Sequence, residues 1–212
     1  MRRSIPLLLL LTFGIASSAA AQEVRKVNQT YFAGDLRRVE VDLAIASLRI
    51  EGTEGVNVEV ELTLECSRQS ATKCAQRAAQ VQIHPRQTQD KLRVDLRNTP
   101  AGRMGGIKAT MVVKMPKKLD LEVDFTGGDV TVIGLLGHIE IDTGTGAVDL
   151  TYPQDLVAQV KVALGAGSGE LLLRDGTKVG ASGWPRSINW QGKGTATLEV
   201  DGGASYVTVR LQ

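Results

Sequence analysis

From Val39 onward the chain alternates apolar and polar residues in short runs, and one spacing recurs: apolar residues at relative positions 0, 2, 9 and 11. Val39, Val41, Leu48 and Ile50 fit it, as do Leu121, Val123, Val130 and Val132, and Ile139, Ile141, Val148 and Leu150. Val162, Leu164, Leu171 and Leu173 fit again, and so do Leu198, Val200, Val207 and Val209. Alternate residues of a strand share one face. Each unit therefore predicts a strand, a turn of about six residues and a second strand. The intervening segments Thr126–Asp129, Thr143–Gly146, Ala166–Gly169 and Asp201–Gly203 all carry glycine, which supplies the positive φ that tight turns need.

The offsets between units are regular. Leu121 to Ile139 is 18 residues, Ile139 to Val162 is 23, and Val162 to Leu198 is 36, twice 18. The 23 reads as one coil with an insertion, and the 36 as two coils with a degenerate one around Lys178–Trp190. A period near 18–20 residues with two short strands per period describes stacked coils. The predicted fold is all-β, a single-stranded β-solenoid resembling a β-helix; an antiparallel β-sandwich of hairpins is the alternative. One coil cannot stand alone: burying four aliphatic side chains contributes roughly 6–12 kcal/mol, against roughly 18–36 kcal/mol for ordering 18 backbones. The domain is expected over 36–212, with regular coils in 116–212 and a less regular first part in 36–115. That first part carries longer strands at Val56–Cys66, Lys91–Arg97 and Ile107–Met115, a short helix near 68–80, and a loop at Asn98–Gly106.

The start of the chain reads differently. Met1-Arg2-Arg3 is a short positive region, Ile5–Ala16 is almost wholly apolar, and Ala19 and Ala21 fit an A-x-A cleavage pattern. An apolar helix of about 12 residues spans roughly 18 Å, too short for a hydrocarbon core of about 30 Å. Residues 1–21 are expected to be a signal peptide and 22–35 a linker, placing the protein in the periplasm or outside the cell. Losing Arg2 and Arg3 from 25 basic residues leaves 23 against 23 acidic ones. A neutral chain gives no support for nucleic-acid binding, and no later apolar run approaches membrane length.

Export brings the two cysteines into an oxidising compartment. Cys66 closes the alternating run that begins at Val56, and Cys74 lies where Ala71, Cys74, Ala75 and Ala78 recur at helical spacing. A strand end and the following helix bring the two together, so a structural disulfide is expected. The spacing is not the C-x-x-C of a redox pair.

Leu119–Gly134, Gly137–Leu150, Trp190–Gly194 with Leu198–Val209, and Val39–Gly52 with its helix-containing insert resemble a bacterial family of unknown function. The resemblance runs from Leu36 to Leu211. The family's members are described as candidate adhesins and look like β-solenoids, so it implies an exported scaffold or binding module, with no catalytic residues to carry over.

The candidate chemistry is sparse. Ser70-Ala71-Thr72-Lys73 matches S-x-x-K without its supporting elements, and Gly165–Gly169 lacks the lysine of a P-loop. His84 and His138 are far apart, and no grouping has zinc spacing. The notable surface feature is acidic. In the repeat register Glu122, Glu140 and Glu199 share one position and Asp124, Asp142 and Asp201 share another, all opposite the core face. Stacked carboxylates repel, and a cation such as Ca²⁺ could relieve them. Trp184 and Trp190 flank Pro185-Arg186, where they either stack on sugar rings or plug an open end of the stack. The expectation is a non-enzymatic exported module of the cell envelope with no required cofactor. An adhesin-like module binding a glycan or protein partner is the alternative, and a carbohydrate-active hydrolase or lyase a further one.

Overall fold

A computed structural model describes residues 22–66, 71–99, 106–181 and 186–212. The expected signal peptide and Trp184 lie outside these residues, as do Ser70 and most of the Asn98–Gly106 loop. The strands of the first half are β1 (Gln22–Phe32), β2 (Arg38–Thr53), β3 (Asn57–Cys66), β4 (Gln82–Gln87), β5 (Lys91–Arg97) and β6 (Ile107–Pro116), with helix α1 (Ala71–Ala78) between β3 and β4. Those of the second half are β7 (Asp120–Ile133), β8 (Ile139–Tyr152), β9 (Val157–Leu172), β10 (Lys178–Gly180), β11 (Arg186–Gln191) and β12 (Ala196–Leu211). The fold is all-β with one short helix, and the strands form a mixed 12-stranded sheet. The stretch expected as a linker is mostly β1, which pairs antiparallel with β3.

Five long strands, in the order β2-β7-β8-β12-β9, run parallel through the centre. Each is one continuous strand where the spacing predicted two strands and a turn. The odd interval in the repeat explains why. In a flat strand, residues nine apart point to opposite faces. Here the register passes from Phe125–Thr143 to Gly127–Thr145, omitting Thr126 and Gly144. The same step occurs at Gly203 and Gly165. One residue drops out of the ladder, the strand bends, and both legs bury the same side: Leu121, Val123 and Phe125 on one leg, Val130 and Val132 on the other.

On β7, β8 and β9 glycine is required just after the bend, whereas the aligned Ala46 of β2 and Ser205 of β12 keep a negative φ. Gly128, Gly146 and Gly167 have φ of 125°, 131° and 104°, and a Cβ on Gly146 would stand 1.7 Å from the Gly128 carbonyl oxygen. No side chain fits so close to the neighbouring backbone.

The bend also divides the sheet. On one side of β2, residues 38–42 pair with β5 while 47–53 pair with β6. At the other end, residues 159–164 of β9 pair with β11 and 170–172 with β10. The central strands are thus shared by two half-sheets, and a single apolar cluster unites the buried side chains of both legs.

Two features of the predicted repeat are corrected. Lys178–Trp190 is not a coil of its own: it supplies the antiparallel strands β10 and β11. Nor does Val162 align with Leu198; Leu198 pairs with Val160, and Val200 with Val162. The sequence misleads because Gly169 occupies the position where β7, β8 and β12 carry a valine and β2 a leucine, and Leu164, Ala181 and Ile188 close around it. The strands also do not stack in chain order, since β12 lies between β8 and β9.

Cys66 and Cys74 are disulfide-bonded, with their Cα atoms 6.0 Å apart. The bridge ties the middle of α1 to the end of β3, and Arg25 of β1 reaches the C-terminal end of the helix and the residues just beyond it by donating to the carbonyls of Ala78 and Val81.

Candidate functional site: a carboxylate face on the central strands

The repeated tetrapeptide Val39-Glu-Val-Asp42, Leu121-Glu-Val-Asp124, Ile139-Glu-Ile-Asp142 and Leu198-Glu-Val-Asp201 falls on four adjacent strands. Alternation buries its aliphatic residues and turns its acids outward. Pairing then lines them up. Glu40, Glu122, Glu140 and Glu199 form one row, and Asp42, Asp124, Asp142 and Asp201 the next. Neighbouring strands lie about 4.8 Å apart, so each carboxylate faces its like across one strand spacing.

Glu40 and Asp42 were not among the sequence-derived candidates, although Val39–Asp42 carries the same pattern as the other three. The strands flanking the four carry a changed version of it. On β5, Arg93 stands beside Glu40 and Asp95 beside Asp42; on β9, Lys161 stands beside Glu199 and Ala163 beside Asp201. The glutamate row is thus closed by a cation at each end.

These basic residues neutralise the margins. Lys91 pairs with Glu40, Arg93 lies 2.5 Å from Asp42, Arg38 lies 2.7 Å from Glu122, and Lys161 lies 3.5 Å from Glu199. Glu40 is only 7% exposed. Beyond the margin, Asp95 joins His84 and Arg86 of β4 at 3.0 and 2.8 Å. Among the described residues, Asp124, Glu140, Asp142 and Asp201 form no ion pair.

The titration behaviour follows. Partial burial and then the charges of Asp42 and Asp142 hold Asp124 above the usual aspartate range. Partial burial raises Asp142 likewise, with Asp201 as the next cause, and raises Glu140 with Glu122 as the next. Arg38 and Arg93 move the opposite way from loss of charge, each held protonated chiefly by its carboxylate hydrogen bond.

The aspartate row borders a groove of about 610 Å³ that crosses the strands at the bend, with Thr126, Gly144, Gly165 and Gly203 along it. Among the described residues no three His, Cys, Asp or Glu side chains are grouped to hold a metal ion, so the calcium reading gains no support. Trp190 sits on β11 opposite Val160 and packs half-buried against the core. His138 lies near the ladder's end, where its Nδ1 accepts the Thr197 amide at 3.0 Å.

No family model matches the chain, and no curated protein matches it. Solved structures do. The fold is similar to that of "a putative cell adhesion protein" from Clostridium sporogenes, with a TM-score of 0.53 and 10% identity over 90% of this chain and 100% of that one. A "putative adhesin" from Parabacteroides merdae matches with a TM-score of 0.27 and 10% identity, covering 86% of this chain and 81% of that one. The first likeness establishes a shared fold. No described helix is long and apolar enough to cross a membrane.

Proposed function

We propose that this chain is an exported, non-enzymatic module of the bacterial cell envelope that works by binding, and that the carboxylate face is its contact surface. The observation that carries the reading is the pair of acidic rows, in which Asp124, Glu140, Asp142 and Asp201 form no ion pair among the described residues. Like charges in register on adjacent strands weaken a sheet. A rigid scaffold that nevertheless repeats them on β2, β7, β8 and β12 presents a surface suited to a positively charged partner. The adhesion name of the fold neighbour agrees with a binding role, and the Cys66–Cys74 bridge agrees with an oxidising compartment. The parallel, in-register, bent central strands support a solenoid-like description of the scaffold, although their order departs from sequential winding.

Binding to immobilised poly-lysine at low and high salt tests this with a defined probe. The full chain is compared with the triple variant Asp124→Asn, Asp142→Asn, Asp201→Asn and with an equal-charge control altered at Glu54, Asp155 and Asp175. Salt-sensitive binding lost only in the ladder variant is the expected result; equal loss in both variants overturns the proposal. A polysaccharide-cleavage screen with the same proteins tests the non-enzymatic part. Turnover abolished by Asp124→Asn would establish an enzyme instead.

A further inference from the structure

The sheet's free edges are unequal. β10 has three residues, β11 has six, and β4 has six including Pro85, which cannot donate to a neighbouring strand. β1 has 11 residues without proline and, among the described residues, hydrogen-bonds to β3 alone. Natural sheets protect long edges with prolines, bulges, charges or cover. β1 has a bulge between Glu23 and Arg25, and α1 lies against its first half through Arg25. From Val27 to Phe32 it carries no charge and no proline.

The backbone groups that face outward can be named. The Ala33 amide donates to the Val56 carbonyl at 3.0 Å, continuing the β1–β3 register. An antiparallel ladder alternates, so Tyr31, Gln29 and Val27 direct their amides and carbonyls at β3. Phe32, Thr30 and Asn28 direct theirs away from it. Such a row is completed by another β-strand. Beside it, Val27 and Tyr31 are only half-covered, whereas their partners Leu62 and Val58 on β3 are fully buried. Phe32 and Val56 stand 68% and 64% exposed at the end of the same strand pair.

We propose that the β1 edge joins a second copy of this chain, β1 against β1, antiparallel about a two-fold axis at Asn28. The strand is compatible with itself in this register. Asn28 faces Asn28 of the second copy and Lys26 faces its Thr30, so no like charges stand opposite. The two Lys26 side chains lie four residues apart along the strands, roughly 13 Å at 3.3 Å per residue, beyond a screening length of about 10 Å. An isologous contact of this kind closes at two copies and buries the uncharged segment that β1 leaves open. It lies on the half-sheet remote from the carboxylate face, so it stands or falls independently of the proposed function.

Sedimentation equilibrium of the full chain purified from the periplasm of an expression host, from 1 to 100 µM, tests it. The expected species is a dimer; a monomer throughout that range overturns the proposal. Asn28→Pro removes an outward amide while leaving the β3 ladder intact, as edge strands tolerate. It should halve the mass with an unchanged far-UV circular dichroism spectrum, and a surviving dimer overturns the proposal. Asn28→Cys, treated with a short bis-maleimide, should give a covalent dimer, because the native cysteines are bonded to each other. Equal cross-linking by Asp175→Cys would show collision rather than pairing and would overturn it as well.

Discussion

Asp124 and Asp142 stand directly opposite each other on parallel neighbours β7 and β8, and both carboxyls are held above the usual aspartate range, chiefly by partial burial and then by nearby acids: Asp42 and Asp142 for Asp124, Asp201 and Glu122 for Asp142. The repulsion costs stability whenever both are ionised. A carboxyl whose pKa is raised by folding contributes stability below its unfolded value and loses that contribution as pH rises through the folded value. The ladder therefore favours the fold near and below pH 4 and opposes it at neutrality. Asp142→Asn should raise the melting temperature at pH 7, by an amount corresponding to a few tenths to about 1 kcal/mol, and the gain should vanish at pH 3.5. A gain equal at both pH values would contradict the repulsion.

The bend makes a sharper demand. Gly146→Ala places a methyl group 1.7 Å from the Gly128 carbonyl oxygen at a φ of 131°. No rotamer relieves that contact, and the loss should exceed about 3 kcal/mol or prevent folding. Gly176→Ala provides the comparison: its φ is 85°, but nothing lies within 4 Å, so only the backbone cost of about 1–2 kcal/mol applies. Urea unfolding of the two variants should separate them clearly.

The disulfide closes a short loop between residues separated by 8 positions. Replacing Cys66 and Cys74 together by alanine should lower unfolding free energy by roughly 2–3 kcal/mol, read from urea midpoints without reductant. Because α1 is tied to β3 by this bridge, amide exchange should rise most in α1.

Tyr152 is 1% exposed and donates to the Gly137 carbonyl at 2.9 Å. Burial, with the Asp120 charge second, pushes its phenol up to about 12. Ultraviolet titration should show a phenol that ionises only near that pH or on alkaline unfolding, and Tyr152→Phe should remove it while costing about 0.5–1.5 kcal/mol.

The acidic rows were legible in the sequence because alternation fixes which side chains share a face and the offset of 18 residues fixes which strands align. Glu122 and Glu140 needed nothing more. Glu40 and Asp42 carry the same signature but sit 82 residues ahead of their partners, with five other elements between, and local spacing says nothing about so distant a pairing. The misplacement of Val162 has a packing cause, since Gly169 hides the apolar position that would have set the register. The division into strand, turn and strand failed because positive-φ glycines permit a bend inside a paired strand as readily as a reversal of direction. What the pattern could not encode was the order of neighbours, which depends on which strands bury which edges.

That order has a consequence for how the molecule is made. β12 comes after β9 in the chain but separates it from β8. Until residues 196–211 have emerged, the facing edges of β8 and β9 have no native neighbour, and their backbone groups are open to mispairing. Assembly therefore cannot proceed strand by strand behind the ribosome. The middle of the sheet is its last piece, so a stall before Ala196 should leave a sticky fragment rather than a smaller folded protein.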